Sequence, residues 1–163
     1  MKVIYPGSFD PITYGHLDIL ERATYLFEKV YITIAINSRK SSIFPPDERA
    51  SLIKESIANK HWARKVEVRQ FSGLLVDYAR ENKVKALIRG VRQFSDYEYE
   101  FRMALMNRKL NKDIDTIFLM PREELTFISG SLVREIAYWG GDLSHFVPDS
   151  VASALDEKFR NQR

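Results

Sequence analysis

Val3-Ile4-Tyr5-Pro6-Gly7-Ser8-Phe9-Asp10-Pro11-Ile12-Thr13-Tyr14-Gly15-His16 leads from a strand, through a loop, into a helix. Val3-Ile4-Tyr5 reads as a short buried strand. Proline and glycine punctuate the next residues, and Gly7 lets the backbone turn sharply. From His16 onward the period changes. His16, Leu20, Ala23 and Phe27 recur at spacings of three and four, so they share one helical face.

The same grammar repeats along the chain. Val30-Tyr31-Ile32-Thr33-Ile34-Ala35-Ile36 is a longer, β-branched strand, and further strands are expected at Val66 to Phe71, Val84 to Ile88 and Thr116 to Met120. Pro45-Pro46-Asp47-Glu48 opens a helix with prolines and first-turn acids, and Ala50, Ile53 and Ile57 form its apolar stripe. Leu74 to Arg80 and Phe94 to Leu110 read as helices. Two more, Ser131 to Trp139 and Asp149 to Arg160, flank the break at Gly140-Gly141. Strand–helix alternation predicts an α/β fold, a doubly wound parallel sheet of about five strands with right-handed crossovers and C-terminal helices. Nothing resembles a repeat or linker, so residues 1–163 are expected to form one domain.

Composition narrows the chemistry. With 45% hydrophobic and 29% charged residues the chain has the make-up of a globular protein. It has no cysteine, which excludes disulfides, thiolate metal sites and a cysteine nucleophile. Three scattered histidines (His16, His61, His145) argue against a histidine-rich zinc site. Any metal is expected to be magnesium carried in by phosphates. No membrane-spanning run or signal-peptide layout is visible, and the expected compartment is the cytosol. The net charge of +3 suits an anionic ligand, but basic residues are dispersed and no nucleic-acid motif is present.

Open parallel sheets bind ligands beyond the carboxyl ends of their strands, where strand order reverses. A 3-2-1-4-5 order would put that crevice between the first and fourth strands. Ser8 then offers a hydroxyl to a phosphate, and His16 stands in a first helical turn that favours anions. His16 reads equally as a core or capping histidine. Ile88-Arg89-Gly90-Val91-Arg92 brings planar, phosphate-matching guanidinium groups to the edge of the fourth strand. Leu125-Thr126-Phe127-Ile128-Ser129-Gly130-Ser131 ends at a helix start, where Ser131 is an N-cap, a phosphate donor, or both. Neither a G-x-x-x-x-G-K-[ST] loop nor a G-x-G-x-x-G fingerprint occurs, so side chains and helix ends must hold any phosphates.

These segments carry a resemblance. Thr13-Tyr14-Gly15-His16 resembles the [HT]-x-G-H signature of the nucleotidylyltransferase superfamily, and Ile128-Ser129-Gly130-Ser131 with Arg134 resembles its I-S-x-[ST]-x-x-[RK] motif. The loop from Tyr5 to Thr13, Leu87 to Arg92, Tyr97-Glu98-Tyr99-Glu100 and Met106-Asn107-Arg108 are similar to the phosphopantetheine adenylyltransferases, from Val3 to about Leu155. The resemblance implies a Rossmann-like fold, a homohexamer, and transfer of adenylate from ATP to 4'-phosphopantetheine, giving dephospho-coenzyme A, with coenzyme A as inhibitor. It implies that Ser8, Lys40, Leu75 and Arg89 line the phosphopantetheine site, with Arg39 the alternative to Lys40. It assigns ATP to Ser8, Phe9, His16, Gly90, Val91, Arg92, Glu100, Leu125, Thr126, Phe127, Ile128, Ser129, Gly130 and Ser131, with His16 as the transition-state stabiliser. Direct in-line attack by the acceptor phosphate needs no covalent intermediate. The competing readings are a sister transferase with another phosphorylated acceptor, a basic nucleic-acid-binding protein, and a non-catalytic nucleotide sensor.

Overall fold

The computed structural model describes residues 1–37 and 41–160. Five strands, β1 (Lys2–Gly7), β2 (Lys29–Ile36), β3 (Val66–Ser72), β4 (Ala86–Gly90) and β5 (Asp115–Leu119), form one sheet in the order β3-β2-β1-β4-β5. Every pairing is parallel, from Lys2↔Lys29 through Gly7↔Ile34 in the centre to Gly90↔Leu119 at the edge. Six α-helices follow the alternation: α1 (Tyr14–Leu26), α2 (Pro46–Ile57), α3 (Leu75–Glu81), α4 (Phe94–Leu110), α5 (Gly130–Tyr138) and α6 (Asp149–Arg160).

The pleat sorts side chains between two apolar layers. Val3 and Tyr5 of β1, Val30, Ile32 and Ile34 of β2, and Ala86 and Ile88 of β4 pack with residues of α1, α2, α5 and α6. Ile4, Tyr31 and Leu87 face the other way, onto Val76 and Ala79 of α3 and onto Ile114. The stripes read from the sequence are the buried ones: Leu20, Ala23 and Phe27 near α1, and Ala50, Ile53 and Ile57 on α2.

Most element boundaries shift by one or two residues from the sequence reading, and three of the shifts have a visible cause. β4 starts at Ala86 rather than Val84, because Lys83 turns left-handed (φ 55) and Val84 N–H still closes α3 on the Ala79 carbonyl. β5 ends at Leu119, leaving Met120 exposed before Pro121. Ser129 caps α5 by accepting from Leu132 N–H, so Ser131 lies inside the first turn and is not the N-cap.

Candidate active site

The loop between β1 and α1 is shaped by its own side chains. Phe9 is held left-handed (φ 46), an uncommon backbone for an aromatic residue. Its ring is buried edge-on against Tyr5 and His16. The ring lies so close to Gly7 that a Cβ there would meet it at 2.9 Å, which explains the glycine. What Phe9 can offer a ligand is therefore backbone rather than ring.

At the end of this loop Thr13 caps α1. His16 N–H donates to Thr13 Oγ1, while Thr13 N–H donates to His16 Nδ1 at 3.1 Å and the hydroxyl lies 3.0 Å from the same nitrogen. A ring nitrogen that accepts from a backbone N–H carries no proton, so the neutral ring is protonated on Nε2. Burial, reinforced by Arg92 and Arg89, pushes the His16 pKa down to about 4. His16 is thus both a capping residue and a neutral hydrogen-bond donor; the two readings coexist.

Across the crevice, Arg89 of β4 meets Glu100 of α4 through two bonds, at 2.6 and 2.5 Å, and donates its remaining Nη1 to the Pro6 carbonyl at 2.8 Å. Burial opposes the guanidinium charge, but the carboxylate more than restores it and holds Arg89 above its usual range. Residues assigned to different substrates are here joined to each other. Arg92 is tied similarly, to Asp96 at 3.0 Å and to the Ile128 carbonyl at 2.8 Å, which links the β4 edge to the α5 loop. A Cβ at Gly90 would meet Ile19 at 3.4 Å, so the backbone there packs closely on α1.

The segment after β5 is anchored through α1. Buried Asp18 accepts from Arg122 N–H and Nε, at 3.0 and 2.6 Å, and from Arg22 Nε at 2.9 Å. Burial would raise its pKa, yet bonds from Arg122 and Arg22 outweigh that and hold it low. Beyond this anchor, Arg134 of α5 donates to the Asp10 carbonyl at 2.8 Å and to Ser131 Oγ at 3.2 Å.

These loops enclose one cleft of about 450 Å³ at the carboxyl ends of β1 and β4. His16, Arg92 and Ser131, distant in the chain, all line it, as do Ser8, Phe9, Arg89, Gly90, Glu100, Ile128, Ser129 and Gly130. Others do not. Leu75 packs at the start of α3, against the second apolar layer. Val91 N–H extends the sheet by donating to the Leu119 carbonyl. Leu125 packs on the main core, Thr126 Oγ1 bonds the Glu123 carbonyl, and Phe127 stands against Phe146. Lys40 and Arg39 lie outside the described residues.

The cleft also contains residues to which the sequence reading gave no role. Asp10 accepts from Ile43 and Phe44 N–H, each at 2.9 Å, tying the first loop to the segment before α2. Arg49 and Arg134 line the cleft as well. Arg134 belongs to a recognisable motif, whereas Arg49 sits in a helical stripe where nothing local marks it.

Comparison with known proteins places this geometry. The cytidylyltransferase-like family model matches residues 4–136. The chain is 50% identical over 157 residues to the phosphopantetheine adenylyltransferase of Caldanaerobacter subterraneus subsp. tengcongensis, covering 96% of each. It is 48% identical over 156 residues to that of Geotalea daltonii, covering 96% of this chain and 95% of the relative. In fold it is similar to Plasmodium falciparum nicotinic acid mononucleotide adenylyltransferase complexed with NaAD, with a TM-score of 0.74, 17% identity, and coverage of 96% and 94%.

Proposed function

The chain belongs to the phosphopantetheine adenylyltransferases of the cytidylyltransferase-like family, and on that premise we propose that it joins ATP and 4'-phosphopantetheine into dephospho-coenzyme A and pyrophosphate. The observation that carries the reading is the meeting of His16, Arg92 and Ser131 around one cleft rich in arginine. Such a cleft suits a reaction in which two polyanions must be brought together.

An oxygen of the acceptor phosphate attacks the α-phosphorus of ATP, and the bond to the β-phosphate oxygen breaks. Its electron pair leaves with pyrophosphate. The nucleophile is already an anion, so no activated serine or general base is required. Neutral His16 donates Nε2–H to an α-phosphate oxygen, a bond that strengthens as charge builds in the transition state. The N-terminus of α5, with Ser129, Ser131 and Arg134, receives the β- and γ-phosphates, and Arg92 adds charge beside them. Ser8 and Arg89 hold the acceptor, with Arg89 exchanging part of its Glu100 pairing for phosphate.

Magnesium arriving with ATP would neutralise phosphate charge. Among the described residues no three or more of His, Asp and Glu gather as a ligand set, so phosphate oxygens and water would hold the ion. Among the same residues no helix is long and apolar enough to cross a membrane. Self-association, implied by the family resemblance, is supported by the exposed apolar residues of α4.

The test is pyrophosphate release from ATP with 4'-phosphopantetheine, nicotinate mononucleotide or glycerol phosphate as acceptor. Release with the first alone is the expected result. Release only with another acceptor would move the chain to a sister activity. His16→Ala is expected to lower turnover by about 10²- to 10³-fold while ATP affinity, measured by calorimetry with a non-hydrolysable analogue, stays within about threefold.

A further inference from the structure

The cleft's arginines are not equally satisfied. Arg89 and Arg92 have carboxylate partners, and Arg134 bonds a carbonyl and a hydroxyl. Arg49, in α2, is 3% exposed and lines the same cleft. Its guanidinium's one hydrogen bond among the described residues runs from Nη1 to the Ser8 carbonyl at 2.8 Å. No carboxylate stands within 4.0 Å of it among those residues, and its buried Nε has no hydrogen-bond partner among them either.

A guanidinium cannot escape this position by giving up its proton. Burying an unpaired charge is costly, so the free protein carries a penalty that an incoming anion would remove. The acids nearest in sequence do not relieve it: Asp47 accepts from Gln70, and Glu48 pairs with Lys158. Arg49 therefore adds positive charge to the cleft that Ser8, Ser41 and Ser42 also line. It also fixes the carbonyl just before left-handed Phe9, and so the place from which the Ser8 hydroxyl is presented.

We propose that Arg49 is a positioning residue for the acceptor: through its bond to the first loop it fixes Ser8 and supplies the unpaired positive charge that draws the acceptor's phosphate toward Ser8. This rests on the adenylyl-transfer reading. The triphosphate side is served by Ser129, Ser131 and Arg134, so removing Arg49 should affect the two substrates unequally.

The experiment uses the full chain and two variants, Arg49→Met and Arg49→Lys. Without substrates, Arg49→Met is expected to unfold at the same temperature as the parent or higher, because it discards an uncompensated charge. Calorimetry should show 4'-phosphopantetheine binding weakened about tenfold or more, with a non-hydrolysable ATP analogue shifted by less than about threefold. Arg49→Lys keeps the charge and should hold acceptor affinity within about threefold of the parent. Turnover at saturating acceptor should change far less than the acceptor KM.

Unchanged acceptor affinity in Arg49→Met, or equal weakening of both substrates, would sink the proposal while leaving the enzyme reading in place. So would an Arg49→Met protein that fails to fold, since that would make the charge a structural necessity. An Arg49→Lys variant as weak as Arg49→Met would equally refute it. A parent protein that releases no pyrophosphate would remove the adenylyl-transfer reading, and the role of Arg49 with it.

Discussion

His16 shows how much chemistry one capping contact can set. Thr13 N–H occupies Nδ1, which places the neutral ring's proton on Nε2. Thr13→Ala keeps that N–H but loses the side-chain cap. It should cost about 1 kcal/mol in denaturant unfolding and lower turnover with ATP affinity retained. Burial, Arg92 and Arg89 bring the folded pKa of His16 to about 4 from 6.5. As pH falls through the higher value the unfolded chain takes up a proton that the folded chain refuses, so stability drops between the two. His16→Gln should therefore lose less stability than the parent on acidification from about pH 7 to about pH 5. NMR of the parent's ring should show the Nε2–H form throughout that window; a titration midpoint near the unfolded value would contradict the burial argument.

Among elements, α4 is held in an unusual way. Glu100 is its only buried residue, and that carboxylate is engaged by Arg89. Glu100→Gln removes the charge opposite a partly buried guanidinium and should cost about 2 kcal/mol, less than a fully buried pair because Arg89 keeps some access to water. Thermal unfolding measures this. A second tether joins α1 to the segment after β5 through Asp18 and Arg122. Asp18→Asn is expected to lose about 1 to 3 kcal/mol, discounted for the exposure of both arginines, and to raise the KM for ATP through a looser loop. Unchanged ATP kinetics would detach that loop from nucleotide binding. Asp18 itself was legible only as a polar residue on α1, since its partner Arg122 lies 104 residues away.

For the molecule as a whole, the surface of α4 is the feature out of keeping with a lone subunit. Phe94 is 95% exposed, and Tyr99, Met106 and Leu110 each keep more than half their surface in water. A helix with so much apolar surface in water is expected to meet another subunit. Light scattering should give a mass several times 19.0 kDa, and Tyr99→Glu with Met106→Glu should lower it. A parent that runs as a monomer would refute the assembly.

The order of strands and helices, and the identity of the crevice, were determined by sequence alone, because hydrophobic period and turn residues are local properties that propagate along the chain. Tertiary structure decided what those residues do once gathered. It paired Arg89 with Glu100, left Leu75 against a different layer, and buried Arg49 with no counter-charge among the described residues. Each outcome depends on which groups from remote segments come within a few ångströms of one another. Electrostatic pairing acts over that distance and not over distance along the chain, so no local pattern encodes it.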